Sequence, residues 1–121
     1  PKETGNGIQL NRYRGFNRYF QSSHIEPKSS VHLITSHQFG PEPSKYIAEV
    51  VRTNKVLVRL ILKANRIGTE GSLLILRQLK HNSSLVILNL EDNNIETLND
   101  PEVIEALSVN TTLNVLWLLN N

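Results

Sequence analysis

Residues Leu57–Ile67 read LVRLILKANRI, and the fold follows from how this stretch recurs. The same template returns as LVILNLEDNNI over Leu85–Ile95, and again as LNVLWLLNN over Leu113–Asn121. Leu57, Leu85 and Leu113 are spaced by 28 residues, and so are Asn65, Asn93 and Asn121. The tripeptides ahead of each copy keep step too: Asn54-Lys55-Val56, Asn82-Ser83-Ser84 and Asn110-Thr111-Thr112. A fixed period of this length marks a stack of similar units, none of which can bury its apolar face alone.

Moved back by one period, the template falls on Ser29, His32, Ile34 and His37, and still meets Phe39-Gly40 where Ile67-Gly68 stood. VHLITS (Val31–Ser36) reads as a strand, so a degenerate first repeat is expected there, with His37 a turn residue. The units are therefore about 29–56, 57–84, 85–112 and a partial 113–121. Within each, two periodicities follow one another. Leu60 and Leu62 alternate with Arg59, Ile61 and Lys63, which is strand spacing. Leu73, Leu76 and Leu79 recur every third residue, which is helix spacing, and Gly71-Ser72 is read as lying before that helix. An earlier helix is predicted over Pro43–Thr53. A later one opens at Asp100-Pro101, an N-cap followed by proline, with Val103, Ile104 and Leu107 as its apolar stripe.

The pattern LxxLxLxxNxI, a helix of about a dozen residues, then NxxL on the 28-residue period resembles the leucine-rich repeats of the ribonuclease-inhibitor type. The resemblance covers residues 29–121, about three quarters of the chain. It implies an α/β fold: a short right-handed solenoid with parallel strands on its concave face and helices on its convex face. Asn65, Asn93 and Asn121 are then structural, their amides satisfying backbone groups that a tightly curving chain would leave unpaired. Asn82-Ser-Ser and Asn110-Thr-Thr match the N-glycosylation pattern, yet fall where such repeats commonly carry Asn-Thr/Ser-x-Leu.

Residues 1–28 differ from the rest and form an N-terminal basic and aromatic arm or cap. Here Arg12, Arg14 and Arg18 stand among Tyr13, Phe16, Tyr19 and Phe20. Such interleaving would suit stacking on single-stranded RNA, but no recognition motif surrounds it, and a cover for the bare edge of the first repeat is the stronger reading. The formal net charge of +2 hides a gradient. Residues 50–90 are rich in Lys and Arg, whereas residues 91–121 hold six carboxylates and no Lys or Arg. This layout predicts a basic flank beside an acidic end, able to steer partners of different sign.

If Leu60 and Leu62 face inward, adding 28 lines up the outward neighbours. One row is Val31, Arg59, Ile87 and Val115; the next is Leu33, Ile61, Asn89 and Trp117; the third is Thr35, Lys63, Glu91 and Leu119. Seven of these twelve positions are apolar on a face expected to be wet, which is how partner surfaces look. Trp117 is the natural anchor, and Arg59, Lys63 and Glu91 would orient the partner. Self-coverage of this face by the arm is the competing expectation. The chain stops at Asn121 inside the third motif, so continuation, or cover by another chain, is expected at that end.

No catalytic arrangement accompanies these features. There is no Gly-rich phosphate loop, no HExxH and no Gly-x-Ser-x-Gly elbow, and the four histidines lack metal-ligand spacing. With no cysteine there is no disulfide scaffold, and no apolar run reaches the ~20 residues of a membrane span. No catalytic residue, metal or cofactor is expected, and neither nucleic acid nor membrane is expected as a partner. The expectation is a non-enzymatic scaffold or adaptor that binds protein through its strand face and open C-terminal end within a larger assembly. It would work inside the cell, in a cytoplasmic, cytoskeletal or ciliary setting. The family resemblance leaves two special forms open: tropomodulin-like actin-filament capping, and a cytoskeletal or axonemal subunit. RNA binding through the arm is the reading of another class. Activators of the Ran GTPase share the repeat type, but their functional residues have no match in this chain.

Overall fold

The computed structural model describes residues 31–33, as backbone, and residues 42–121. The order is β1 (Val31–Leu33), α1 (Ser44–Thr53), β2 (Arg59–Ile61), α2 (Gly68–Arg77) continued by a 3-10 turn (Gln78–His81), β3 (Ile87–Asn89), α3 (Pro101–Val109) and β4 (Val115–Trp117). The four strands make one parallel sheet in sequence order, β1-β2-β3-β4. Val31 pairs with Arg59, Arg59 with Ile87, and Ile87 with Val115, so the register offset at each junction equals the 28-residue period of the sequence. A helix follows each of the first three strands, as parallel pairing requires, because the chain must return to the same end of the sheet.

Alternation in the strands sends Leu60, Leu62, Leu88 and Leu90 into the core, all fully buried. There they meet Ile47, Val50 and Val51 of α1, and Leu73, Ile75, Leu76 and Leu79 from α2 and its 3-10 extension. α1 packs on α2, and α2 on α3, so the helices form a layer on one side of the sheet. That leaves the odd-numbered strand residues on the other side.

Two asparagine series tie consecutive units together. Asn93 Oδ1 accepts from the backbone N–H of Asn65 (3.0 Å) and Ile67 (3.1 Å), while its Nδ2 donates to the carbonyls of Leu62 (2.9 Å) and Glu91 (3.0 Å). Asn121 repeats this one unit on, accepting from Asn93 (2.8 Å) and Ile95 (3.1 Å) and donating to Leu90 (2.8 Å). The second series precedes the strands. Asn54, Asn82 and Asn110 each accept, through Oδ1, from the N–H groups two and three residues on. Asn82 Nδ2 donates to Val51 O and Asn110 Nδ2 to Leu79 O, both at 2.8 Å. With its amide nitrogen buried and donating, Asn82 offers no free acceptor for a glycan in the folded chain.

The turn after each strand bends through left-handed residues. Ala64, Asp92 and Asn120 share one period position with φ near +60°, and Arg66 and Asn94 share another. For Ala64 and Arg66 this conformation costs about 1 kcal/mol that asparagine or glycine would largely avoid.

Two helix expectations need correction. α2 starts at Gly68, so Gly71-Ser72 lie inside it and not before it. Gly71 sits where α2 meets the start of α1: a Cβ there would stand 2.2 Å from Ser44 Oγ and 2.8 Å from Ile67 Cγ2. The glycine serves close helix approach, which a local reading mistakes for a start signal. α3 does open with the Asp100 cap, whose Oδ1 accepts from Glu102 N (2.9 Å) and Val103 N (3.0 Å). Its stripe, however, is not Val103, Ile104 and Leu107: the helix buries Val103 and Ala106 and leaves Ile104 57% and Leu107 37% exposed. α3 packs on α2 on one side, and Ile104 and Leu107 lie on the part of its surface that this contact leaves open.

Candidate functional site

The sheet face opposite the helices gathers β2, β3 and β4 residues in rows one strand apart, about 4.8 Å. Arg59 and Lys63 are exposed, and Ile61, Ile87 and Val115 are partly covered. Trp117 and Leu119 are 49% and 66% exposed, large apolar surfaces on a wet face. A shallow cleft of about 350 Å³ lies beside them, lined by Glu91, Leu116, Trp117, Leu118 and Leu119. Leu116 and Leu118 reach it because they are only half-buried, which strand alternation alone does not reveal.

Lys63 Nζ lies 3.5 Å from Glu91 Oε1, so these two side chains hold one another at the edge of the face. Asn89 departs from expectation. It is 3% exposed and does not present its side chain to a partner. Its Oδ1 accepts from Glu91 N at 2.8 Å and its Nδ2 approaches Glu91 Oε1 at 3.5 Å, closing the turn after β3 between the larger Ile61 and Trp117 of the same row. A short amide folds back on its own backbone where a longer side chain would reach out. The side chains of Val31, Leu33 and Thr35 lie outside the described residues. So does the whole arm, with Arg12, Tyr13, Arg14, Phe16, Arg18, Tyr19 and Phe20, and so does His37.

The expected basic flank and acidic end touch one another through Lys63, Arg77 and Lys80, while Lys55, Arg59 and Arg66 have no ion pair among the described residues. Arg77 on α2 reaches Asp100 Oδ2 (2.6 Å) and Glu102 Oε1 (3.1 Å), and Lys80 reaches Glu105 Oε2 (3.5 Å). Opposite charges about one unit apart in sequence are neighbours across the helix seam, so these pairs offset one another at short range. The Arg77 hydrogen bond holds the Asp100 carboxyl below its ordinary range, partial desolvation opposes this, and the N–H groups of Val103 and Glu102 add to the lowering. The same bond raises Arg77 above its ordinary value.

Among the described residues no group of three or more His, Asp or Glu side chains is arranged to hold a metal ion. No described helix is long and apolar enough to cross a membrane. A second shallow cleft, about 440 Å³, lies on the helix side between Lys45, Glu70 and Arg77.

No protein-family model matches the chain, and no curated protein matches it by sequence. Among solved structures it is similar in fold to leiomodin-1 actin-binding site 2, with a TM-score of 0.59 and 18% identity. The match covers 89% of this chain and 78% of that one. The chain is thus a small mixed α/β domain with a parallel sheet backed by helices, a fold it shares with that actin-binding site.

Proposed function

We propose that the chain is a leucine-rich-repeat module of the ribonuclease-inhibitor type, a short right-handed solenoid whose concave sheet face binds a protein partner without catalysis. The observation that carries this reading is the exposed pair Trp117 and Leu119, with Glu91 at their side and Arg59 and Lys63 two strands away on the same face that the helices leave open. Exposed aromatic surface ringed by charge is the usual make-up of an interface anchor. The 28-residue register and the interlocking asparagines support the family.

Similarity in fold to an actin-binding site makes actin the first partner to test. It also favours a tropomodulin-like or other cytoskeletal role inside the cell over the remaining forms of a scaffold. The test titrates fluorescently labelled actin monomer with the full chain and co-sediments the chain with filaments, for wild type and for Trp117→Ala. Saturable binding that weakens about tenfold or more in the variant is expected, given the weight that buried tryptophans carry at interfaces. Binding that Trp117→Ala leaves unchanged would remove the sheet face from the reading. Binding that collapses only with added salt and with loss of Arg12, Arg14 and Arg18 would instead favour the arm.

A further inference from the structure

We infer that the partner segment held on the sheet face is acidic and amphipathic: it brings a carboxylate to Arg59 and an apolar side chain to Trp117 and Leu119. This rests on the sheet-face reading and adds the chemistry of its occupant.

The register of the four strands sets Val31, Arg59, Ile87 and Val115 in one row. Arg59 is its single charged member. It is exposed, and among the described residues no ion pair joins it to a carboxylate, as none joins Lys45, Lys55 or Arg66. Of the charged side chains in the strand rows, however, Lys63 and Glu91 hold each other and Arg59 is the one left over. Covering the apolar neighbours Ile87 and Val115 also covers the guanidinium, and a buried arginine needs a carboxylate, to which it can offer a bidentate contact. Charge complementarity therefore selects an acid at this point. Trp117 and Leu119 lie two strands away on β4, about 10 Å across the sheet. Trp117 is also two residues and Leu119 four residues further along the strand than Arg59, so the diagonal is roughly 12–16 Å, which about two to three turns of helix or four to five residues of extended chain span.

Two other occupants fit the charge less well. Residues 1–30 carry Lys2, Arg12, Arg14, Arg18 and Lys28 against Glu3 and Glu26, so the chain's own arm would bring positive charge to Arg59. A second copy meeting face to face would bring the same set of side chains, in which Glu91 already has Lys63 as its partner.

The experiment selects a phage-displayed library of random dodecapeptides on the full wild-type chain and on Arg59→Glu, with circular dichroism confirming that the variant folds. Binding of selected, fluorescein-labelled peptides is measured by anisotropy for every variant, with the emission of Trp117, the chain's one tryptophan, as a second readout where it is present. Wild type is expected to select peptides with Asp or Glu spaced from a bulky apolar residue, and these shift Trp117 emission to the blue. Arg59→Glu is expected to weaken them about tenfold or more, and peptides with Lys in the acidic position recover binding to that variant. Selected peptides without an acid, or affinities indifferent to Arg59→Glu, overturn the inference. If such peptides still depend on Trp117→Ala, the sheet face stands and only its acidic occupant falls; dependence on neither residue removes both. Crosslinks from Lys63 to Lys2 or Lys28 in the monomer would assign the face to the arm. Shielding of Trp117 that grows with protein concentration would assign it to a second copy. Either result overturns the proposal.

Discussion

α2 and α3 occupy the same place in consecutive units, yet they are treated differently by the fold. Leu76 of α2 is fully buried, while Ile104, one period later on α3, is 57% exposed. Leu79 is fully buried and its counterpart Leu107 is not. α2 lies between α1 and α3, whereas α3 packs against α2 on one side. In a stacked structure an apolar side chain is therefore buried by the neighbouring unit as much as by its own sequence. The same position in the period can be core in one unit and surface in the next.

The asparagine series offers the sharpest way to test this contrast. Asn93 is fully buried and its amide serves four backbone groups, so Asn93→Ala should cost on the order of 4 kcal/mol, each orphaned buried group contributing ~1–3 kcal/mol. Asn121→Ala removes the equivalent amide where solvent can replace it and should cost about 1 kcal/mol. Urea denaturation of the two variants compares them directly. Equal losses would mean that the two positions carry the same burden despite their different burial.

The helix pair follows. Leu76→Ala should cost about 3 kcal/mol through lost burial and the cavity it leaves, while Ile104→Ala should stay within about 0.5 kcal/mol. A thermal melt that separates the two by less than a few degrees would contradict the exposed orientation of α3.

Acid titration tests the seam between the two helices. Because the Asp100 carboxyl is held below its ordinary range, its contribution is fully present above the unfolded carboxylate value of about 3.9 and is lost as pH falls through the lowered folded value. Asp100→Asn keeps an N-cap side chain but removes the charge paired with Arg77, so it should flatten the decline in stability below about pH 4. Denaturation midpoints across that range check the slope. A wild-type slope in the variant would show that other carboxylates govern acid unfolding.

The smallest effect concerns the turn. Ala64 sits at φ +61° where the later units have Asp92 and Asn120. Ala64→Gly should raise stability by roughly 0.5–1 kcal/mol, a rise of a few degrees in Tm, since glycine adopts this conformation without strain. No gain would mean that backbone freedom in the unfolded chain offsets the relief.

Reading the fold from sequence succeeded where the signal was periodic and local. LVRLILKANRI and its copies place the strands, and their spacing gives the observed pairing of Arg59 with Ile87 and Val115. Asp100-Pro101 is a local signal and starts α3 as its chemistry requires. The site was legible only in part. Trp117 and Leu119 are exposed on the face that alternation assigned to them, but Asn89 in the same set is buried on its own turn. Nothing in its spacing separates Asn89 from Ile61 or Trp117. Its short amide and larger row neighbours decide the matter.

The sequence by itself determined the period, the order of strand and helix, the row of residues across the sheet, and the amide positions that join one unit to the next. These depend on backbone geometry and on side chains a few residues apart. Only the tertiary structure decided that Gly71 admits α1, that Arg77 spends its charge on Asp100 and Glu102, that Ile104 faces outward and that Asn89 turns in. Each of these depends on what the adjacent unit brings within a few ångströms, and distance across a stack is not written in the distance along the chain.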